Sequence, residues 1–212
     1  MLAKAHPRAP PANAWVSLAR AVCPHLDGRL EFGIIKHTVT LGDNGLMSRK
    51  HESGGNTPAI HALLEAGIPH TLHPYEHDAA SKLSFGLEAA AALDLDPDQV
   101  FKTMCAFVDG HLSVGIVPVS GMLDLKALAH ALGGKKAEMA QAADAERSSG
   151  YVVGGISPIG QRRALPTALD ETAELYDVVY VSGGRRGLDI GLAPADLVRV
   201  TNAVVAPIAK VG

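Results

Sequence analysis

Val100-Phe-Lys-Thr-Met-Cys-Ala-Phe-Val108, Asp109-Gly110 and Leu112-Ser-Val-Gly-Ile-Val-Pro-Val119 follow one another with only His111 between the last two. The two outer runs are rich in β-branched and aromatic residues, and Asp-Gly is the pair that a tight two-residue hairpin demands, because both positions need positive φ. An antiparallel pair over 100–108 and 112–119 follows. Outward from this hairpin the elements alternate irregularly. Upstream, Thr57-Pro58 supplies an N-cap and a first-turn proline for a helix over 58–66 that stops at Gly67. An extended segment over 70–75 and an alanine-rich helix over 84–93 come next, and Pro97 turns the chain into the hairpin. Downstream the pattern predicts helices over 124–133 and 135–142, a short apolar run over 165–169 and a helix over 170–175. Strands over 177–182 and 187–191 follow, then a helix after Pro194. A hairpin within such an alternation favours a mixed α/β sheet over a parallel doubly wound one.

Lys102 stands alone inside the apolar run of the first hairpin strand, where a charge needs a reason. Two glycine-rich segments follow it, Gly150-Tyr-Val-Val-Gly-Gly-Ile-Ser-Pro-Ile-Gly160 and Val181-Ser-Gly-Gly-Arg-Arg-Gly-Leu-Asp-Ile190. Glycine lets main chain approach a ligand closely, so lysine and glycines together suggest a pocket for a phosphate-bearing substrate. Neither segment is a Walker loop, since no Gly-Lys-Ser/Thr follows, and the strand and helix context of a dinucleotide-binding fingerprint is missing. Cys105 lies three residues after Lys102, so on a strand the two side chains face opposite ways; Cys105 reads as a core thiol, not a nucleophile. His70, His73 and His77 invite a metal reading, but 70 and 73 differ in parity and no Cys or acidic cluster joins them. No metal and no cofactor is expected.

The 212 residues, with 47% hydrophobic content, suffice for one domain of ordinary size. A net charge of −3 argues against a protein that coats nucleic acid unspecifically, which needs clustered cations; any contact with nucleic acid should be local. The two cysteines, Cys23 and Cys105, form no CxxC pair, so the chain reads as a resident of a reducing cytoplasm. No apolar stretch approaches the roughly 20 residues of a membrane span. Residues 1–46 hold Pro7, Pro10 and Pro11 and no sustained period. They are expected to lie outside the core as an N-terminal extension, with Met47 the native start and 47–212 the domain.

The order of motifs resembles the YbaK/EbsC family of aminoacyl-tRNA editing proteins, related to the insertion domain of bacterial prolyl-tRNA synthetase. The resemblance spans residues 57–210. It is carried by Thr57-Pro-Ala, Tyr75-Glu-His-Asp78, Pro97-Asp-Gln-Val-Phe-Lys-Thr103, Leu123-Asp-Leu-Lys126, Arg147 to Gly160, Leu165-Pro-Thr167 and Val181 to Ile190. It implies a mixed, barrel-like six-stranded sheet with flanking helices, and trans-editing: release of cysteine wrongly attached to proline tRNA. An aminoacyl ester is already activated, so positioning and an oriented set of donors can suffice. In YbaK-like proteins the substrate's own thiol is the nucleophile, expelling the terminal adenosine and leaving a small cyclic thioester. That accounts for a sequence with no evident protein nucleophile.

The same resemblance assigns catalytic roles to Lys102, Gly154, Ser182 and Asp189. Lys102 would hold a phosphate oxygen or the ester region as a point charge, and Gly154, opening Gly154-Gly-Ile-Ser-Pro158, would offer main-chain N–H groups to the oxyanion. Ser182 and Asp189 would hold the terminal ribose and the α-ammonium. Tyr75, Gly155, Pro158, Gly183, Gly184 and Arg186 complete the implied substrate-binding set. Lys135-Lys136, Arg162-Arg163 and Arg185-Arg186 are candidates for a small basic rim. With acidic residues in excess, intrinsic tRNA affinity should be weak and specificity borrowed from prolyl-tRNA synthetase in a ternary complex. Two other readings stay open: an editing hydrolase for another small amino acid such as alanine, and a non-catalytic tRNA- or synthetase-binding module.

Overall fold

The structure, a computed structural model, describes residues 56–211; the expectations for residues 1–46 and for a start at Met47 lie outside them. The hairpin forms as read. Strand β2 (Val100–Val108) pairs antiparallel with β3 (His111–Pro118), closed by Asp109 and Gly110 at φ +47° and +84°. Around it the sheet runs in the order β1 (Thr71–Pro74), β8 (Leu188–Leu192), β7 (Val179–Arg185), β2, β3, β6 (Thr167–Asp170) and β9 (Val204–Ala206). The β2–β7, β3–β6 and β6–β9 pairs are parallel and the other pairs antiparallel. A mixed α/β architecture is therefore correct, but the main sheet has eight strands among the described residues, not six, once the short β5 (Ala137–Met139) is added beside β2. A separate pair joins β4 (Gly121–Leu123) to β10 (Ala209–Val211).

Among the described residues five α-helices flank the sheet: α1 (Pro58–Glu65), α2 (Phe85–Ala92), α3 (Leu125–Ala131), α4 (Ala142–Ser149) and α5 (Pro194–Thr201). Residues opposite one another in paired strands share a face, so the register sorts the core. Phe101, Cys105, Val114, Ile116, Val181 and Ile190 face one way, and Leu63 of α1, Ala145 of α4 and Leu197 of α5 pack on them. On the other face α2 covers Val100, while Leu128 of α3 covers Ala106 and Val117. Lys102 emerges on this second face, between the ground covered by α2 and by α3.

One predicted helix is absent. Residues 135–142 hold β5 and then the start of α4, because the Asp109 carboxylate accepts the N–H groups of Lys135 and Lys136, and Ala137–Met139 pair with β2. Long-range pairing overrides the helical composition there. The helix expected over 170–175 is a 3₁₀ turn, Glu171–Leu175, capped by Asp170. Asp170 is buried, and its carboxylate accepts from the Thr172 N–H and hydroxyl and from the N–H groups of Ile208 and Ala209, gripping the C-terminal strand. Asp170→Asn, which trades an acceptor oxygen for an amide facing donors, should cost about 2 kcal/mol in urea unfolding. Among the described residues no helix is long and apolar enough to cross a membrane.

Candidate functional site

On the second face, β2, β7 and β8 bring Lys102, Ser182 and Asp189 to the same side: Val100 lies opposite Tyr180, two residues before Ser182, and Ser182 lies opposite Asp189. They line a cavity of about 470 Å³, which also takes in Tyr75 from the end of β1 and Gly154 from the first glycine segment. That is the size of an ordinary small-ligand pocket. β7 pairs with β2 only at Val100–Phe101 and β5 only at Ala106–Val108. The β2 edge over 102–104 is left uncovered between them, since the Ala140 N–H already donates to the Cys105 carbonyl, and the cavity wraps around it.

Because it wraps the edge, Thr103 and Cys105 line the cavity too, although their parity directs them to the first face. Cys105 is a buried member of the core, as expected, and reaches the cavity only at the strand edge, which strand parity ignores. Burial pushes the Cys105 thiol pKa up, the opposite of what an attacking thiolate requires. Thr103 was missed. Its hydroxyl is buried without a hydrogen-bond partner, a state that costs free energy. A polar residue inside an apolar run, next to the lone lysine, was the available signal.

Lys102 is not a free surface lysine. Its Nζ donates to the Gly121 carbonyl at 2.6 Å and reaches the Val119 carbonyl at 3.4 Å, so the turn between β3 and β4 aims it, and burial lowers its pKa. Asp189 is only 5% exposed, and burial raises its carboxyl to about 6. Tyr75 donates its N–H to the Gly187 carbonyl at 3.0 Å; burial first, then the Asp189 charge, keeps its hydroxyl protonated. Ser182 Oγ accepts from the Gly184 N–H at 3.4 Å across a bulge between Ser182 and Arg185.

The other five residues of the expected set do not line the cavity. The Gly155 N–H donates to the Val152 carbonyl at 2.9 Å, so it closes a turn and is not offered to an oxyanion. Pro158 is buried. The Gly183 carbonyl accepts from the Thr57 hydroxyl at 2.6 Å, tying the start of α1 to β7, and Gly184, at φ +95°, packs on the Tyr151 ring. Arg186 stacks over Phe85, 4.8 Å from the ring centroid, and donates Nε and Nη2 to the Val153 carbonyl at 3.0 and 2.8 Å. Phe85, a wall residue the sequence did not single out, thereby holds Gly154 in place. His77 donates to the carboxylate of buried Glu88 on α2.

The raised Asp189 pKa has a stability consequence. A carboxyl whose folded pKa lies above its unfolded value stabilises the fold below pH 4, and that contribution is lost as pH rises through about 6. Asp189→Asn should therefore be more stable than the unaltered protein at pH 8, by up to about 3 kcal/mol, with the gap gone at pH 4. Urea titrations at the two pH values measure it; equal differences at both would show that burial of the charge is not the cause.

This is a substrate-sized cleft built on a mixed sheet, with aimed cationic and carboxyl groups. Residues 86–200 match the family described as the aminoacyl-tRNA editing domain, and the chain belongs to that family, in its YbaK/EbsC branch. It is 40% identical over 163 residues to a protein of Enterococcus faecalis strain V583 named as a Cys-tRNA(Pro)/Cys-tRNA(Cys) deacylase, EbsC, covering 75% of this chain and 96% of that one. The fold is shared with a structure described as a trans-editing enzyme for prolyl-tRNA synthetase (TM-score 0.62, 24% identity, 72% of this chain and 95% of that one). It is shared also with a protein solved as hypothetical (TM-score 0.65, 24% identity, 73% and 100%).

Proposed function

We propose that the chain is a trans-editing aminoacyl-tRNA deacylase that releases cysteine from mischarged proline tRNA, the substrate thiol attacking its own ester. Family membership supports the deacylase class. Support for the finer mechanism comes from one observation, a cavity without an activated protein nucleophile. Among the described residues no histidine lines it, the Cys105 thiol is disfavoured from ionising, and no hydrogen bond joins Ser182 Oγ to Asp189.

In this mechanism the cysteinyl thiol loses its proton and sulfur attacks the ester carbonyl carbon. The C–S bond forms, the C–O bond to the ribose breaks, and the freed 3′ oxygen takes up a proton. The chain's part is placement. Lys102 opposes negative charge at the ester or the adjoining phosphate, and Ser182, which lines the cavity, offers its hydroxyl to the ribose or carbonyl oxygen. Asp189 above pH 6 is a carboxylate for the α-ammonium. A thiol is a few per cent ionised near neutral pH, whereas a serine hydroxyl is not, so selectivity follows from chemistry even where binding is equal. We place the reaction in the cytoplasm, with the tRNA delivered in a complex with prolyl-tRNA synthetase.

The deciding experiment is a deacylation panel with cysteinyl, S-methylcysteinyl, seryl and alanyl esters of the same proline tRNA. Only the free thiol should be cleaved, with a rate advantage of at least about 10² over serine. Equal cleavage of the alanyl ester would move the protein to the small-amino-acid branch, and a covalent acyl adduct on the chain would end the thiol mechanism.

A further inference from the structure

Lys102 separates two cavities. Beyond it lies a second groove of about 500 Å³, lined among others by Met122, Lys126 and Lys210, and sharing Lys102, Met104 and Met139 with the first. Met122 on β4 lies opposite Lys210 on β10, and Lys126 stands in the first turn of α3. Both outer lysines are exposed, and none of the ion pairs among the described residues involves either. Met122 and Met139 are 55% and 42% exposed, unusual for large apolar side chains beside a functional cleft. The one carboxylate lining the groove, Asp124, is the N-cap of α3, accepting from the Ala127 N–H at 3.0 Å; its charge also faces Lys210 and Lys126, so with Lys102 the groove keeps an excess of positive charge.

We infer that this groove is the track by which the single-stranded 3′ tail of the tRNA leaves the cavity, with Lys126 and Lys210 on successive phosphates and the two methionines against base faces. The inference rests on the deacylase reading and adds a direction to it. Three ammonium groups along one continuous channel match a phosphodiester strand in charge, and exposed thioethers accept any nucleobase face without reading its sequence. The continuity is physical, because β4, whose Gly121 carbonyl holds Lys102, also carries Met122. A rival track exists. Arg147, Arg163 and His111 border a separate cleft against α4, where the Ser148 hydroxyl is buried without a partner, but Arg147 is already paired with Asp144 and that cleft shares no lining residue with the ester-site cavity.

The test compares the unaltered protein, Lys126→Ala/Lys210→Ala and Arg163→Ala by fluorescence anisotropy across a salt series. The ligand is a short single-stranded RNA carrying cysteine at its 3′ end through an uncleavable amide. The double variant should bind roughly tenfold more weakly, and the slope of log K against log salt should shrink by about 1.4, two single-strand phosphate contacts. Aminoacyl-adenosine, too short to reach the groove, should bind both proteins equally. An unchanged slope in the double variant overturns the track, as does a loss that appears only in Arg163→Ala or equally with aminoacyl-adenosine. Failure of the deacylase reading is visible separately, as absence of turnover by the unaltered protein on cysteinyl-tRNA.

Discussion

Lys102→Ala is expected to lower kcat/KM for cysteinyl-tRNA of proline by about 10²–10³-fold while leaving the fold intact. An ammonium has three N–H donors, and in this structure carbonyls of the β3–β4 turn face it from two sides, at Gly121 and Val119. Those contacts do not use it up; they fix where the remaining donor and the charge sit relative to the ester, which is what transition-state stabilisation needs. Lys102→Arg is a sharper test. Its planar fork cannot reproduce a compact charge seated between two carbonyls, so the loss should stay above about tenfold although the formal charge is kept. Urea unfolding of both variants guards against a trivial cause, since Lys102 is only half-buried and its removal should move stability by about 1 kcal/mol or less. Activity of Lys102→Ala within threefold of the unaltered protein would remove the lysine from the chemistry and with it the proposed arrangement of the site.

The hairpin at the centre was legible because its signal is local. Asp109 and Gly110 must both take positive φ, and few other dipeptides do so cheaply. The capped helices were legible for the same reason; Thr57 does accept from the Ile60 N–H at 3.3 Å, as its place before Pro58 suggested. What stayed hidden depends on partners distant in sequence. β5, β9 and β10 are three residues each, too short for a period, and are held by groups tens of positions away. Asp170 gripping Ile208 and Ala209 is one example and Asp109 gripping Lys135 and Lys136 another.

The site divides along the same line. Lys102, Gly154, Ser182, Asp189 and Tyr75 came from motifs and do converge on one cavity, yet a motif cannot tell a residue that lines a pocket from one that supports its wall. Arg186 and Gly155 lie in the same motifs and belong to the wall. Thr103 escaped because parity is computed for a strand with neighbours on both sides, and β2 lacks one over just the residues that matter.

A large loss of stability should come from Gly155→Ala, at about 4 kcal/mol, which lowers Tm by roughly 8–16 °C in a chain of this length. A Cβ at Gly155 would stand 2.7 Å from Arg185 Cα, 2.8 Å from its carbonyl carbon and 2.9 Å from the Arg186 nitrogen. All three are main-chain atoms, so no rotamer can give way. The strain must move either the first glycine segment, which puts Gly154 in the cavity wall, or the β7–β8 hairpin, which carries Ser182 and Asp189. Activity should therefore fall along with stability even at temperatures where the variant is folded. Gly133→Ala separates this collision from glycine's conformational freedom: Gly133 has φ +75° and open space where a Cβ would go, so only the left-handed backbone is penalised, by about 1–2 kcal/mol. Thermal unfolding of the pair decides the matter. If Gly155→Ala loses no more than Gly133→Ala, the segment and the hairpin are not in rigid contact, and the wall that positions Gly154 is softer than these distances require.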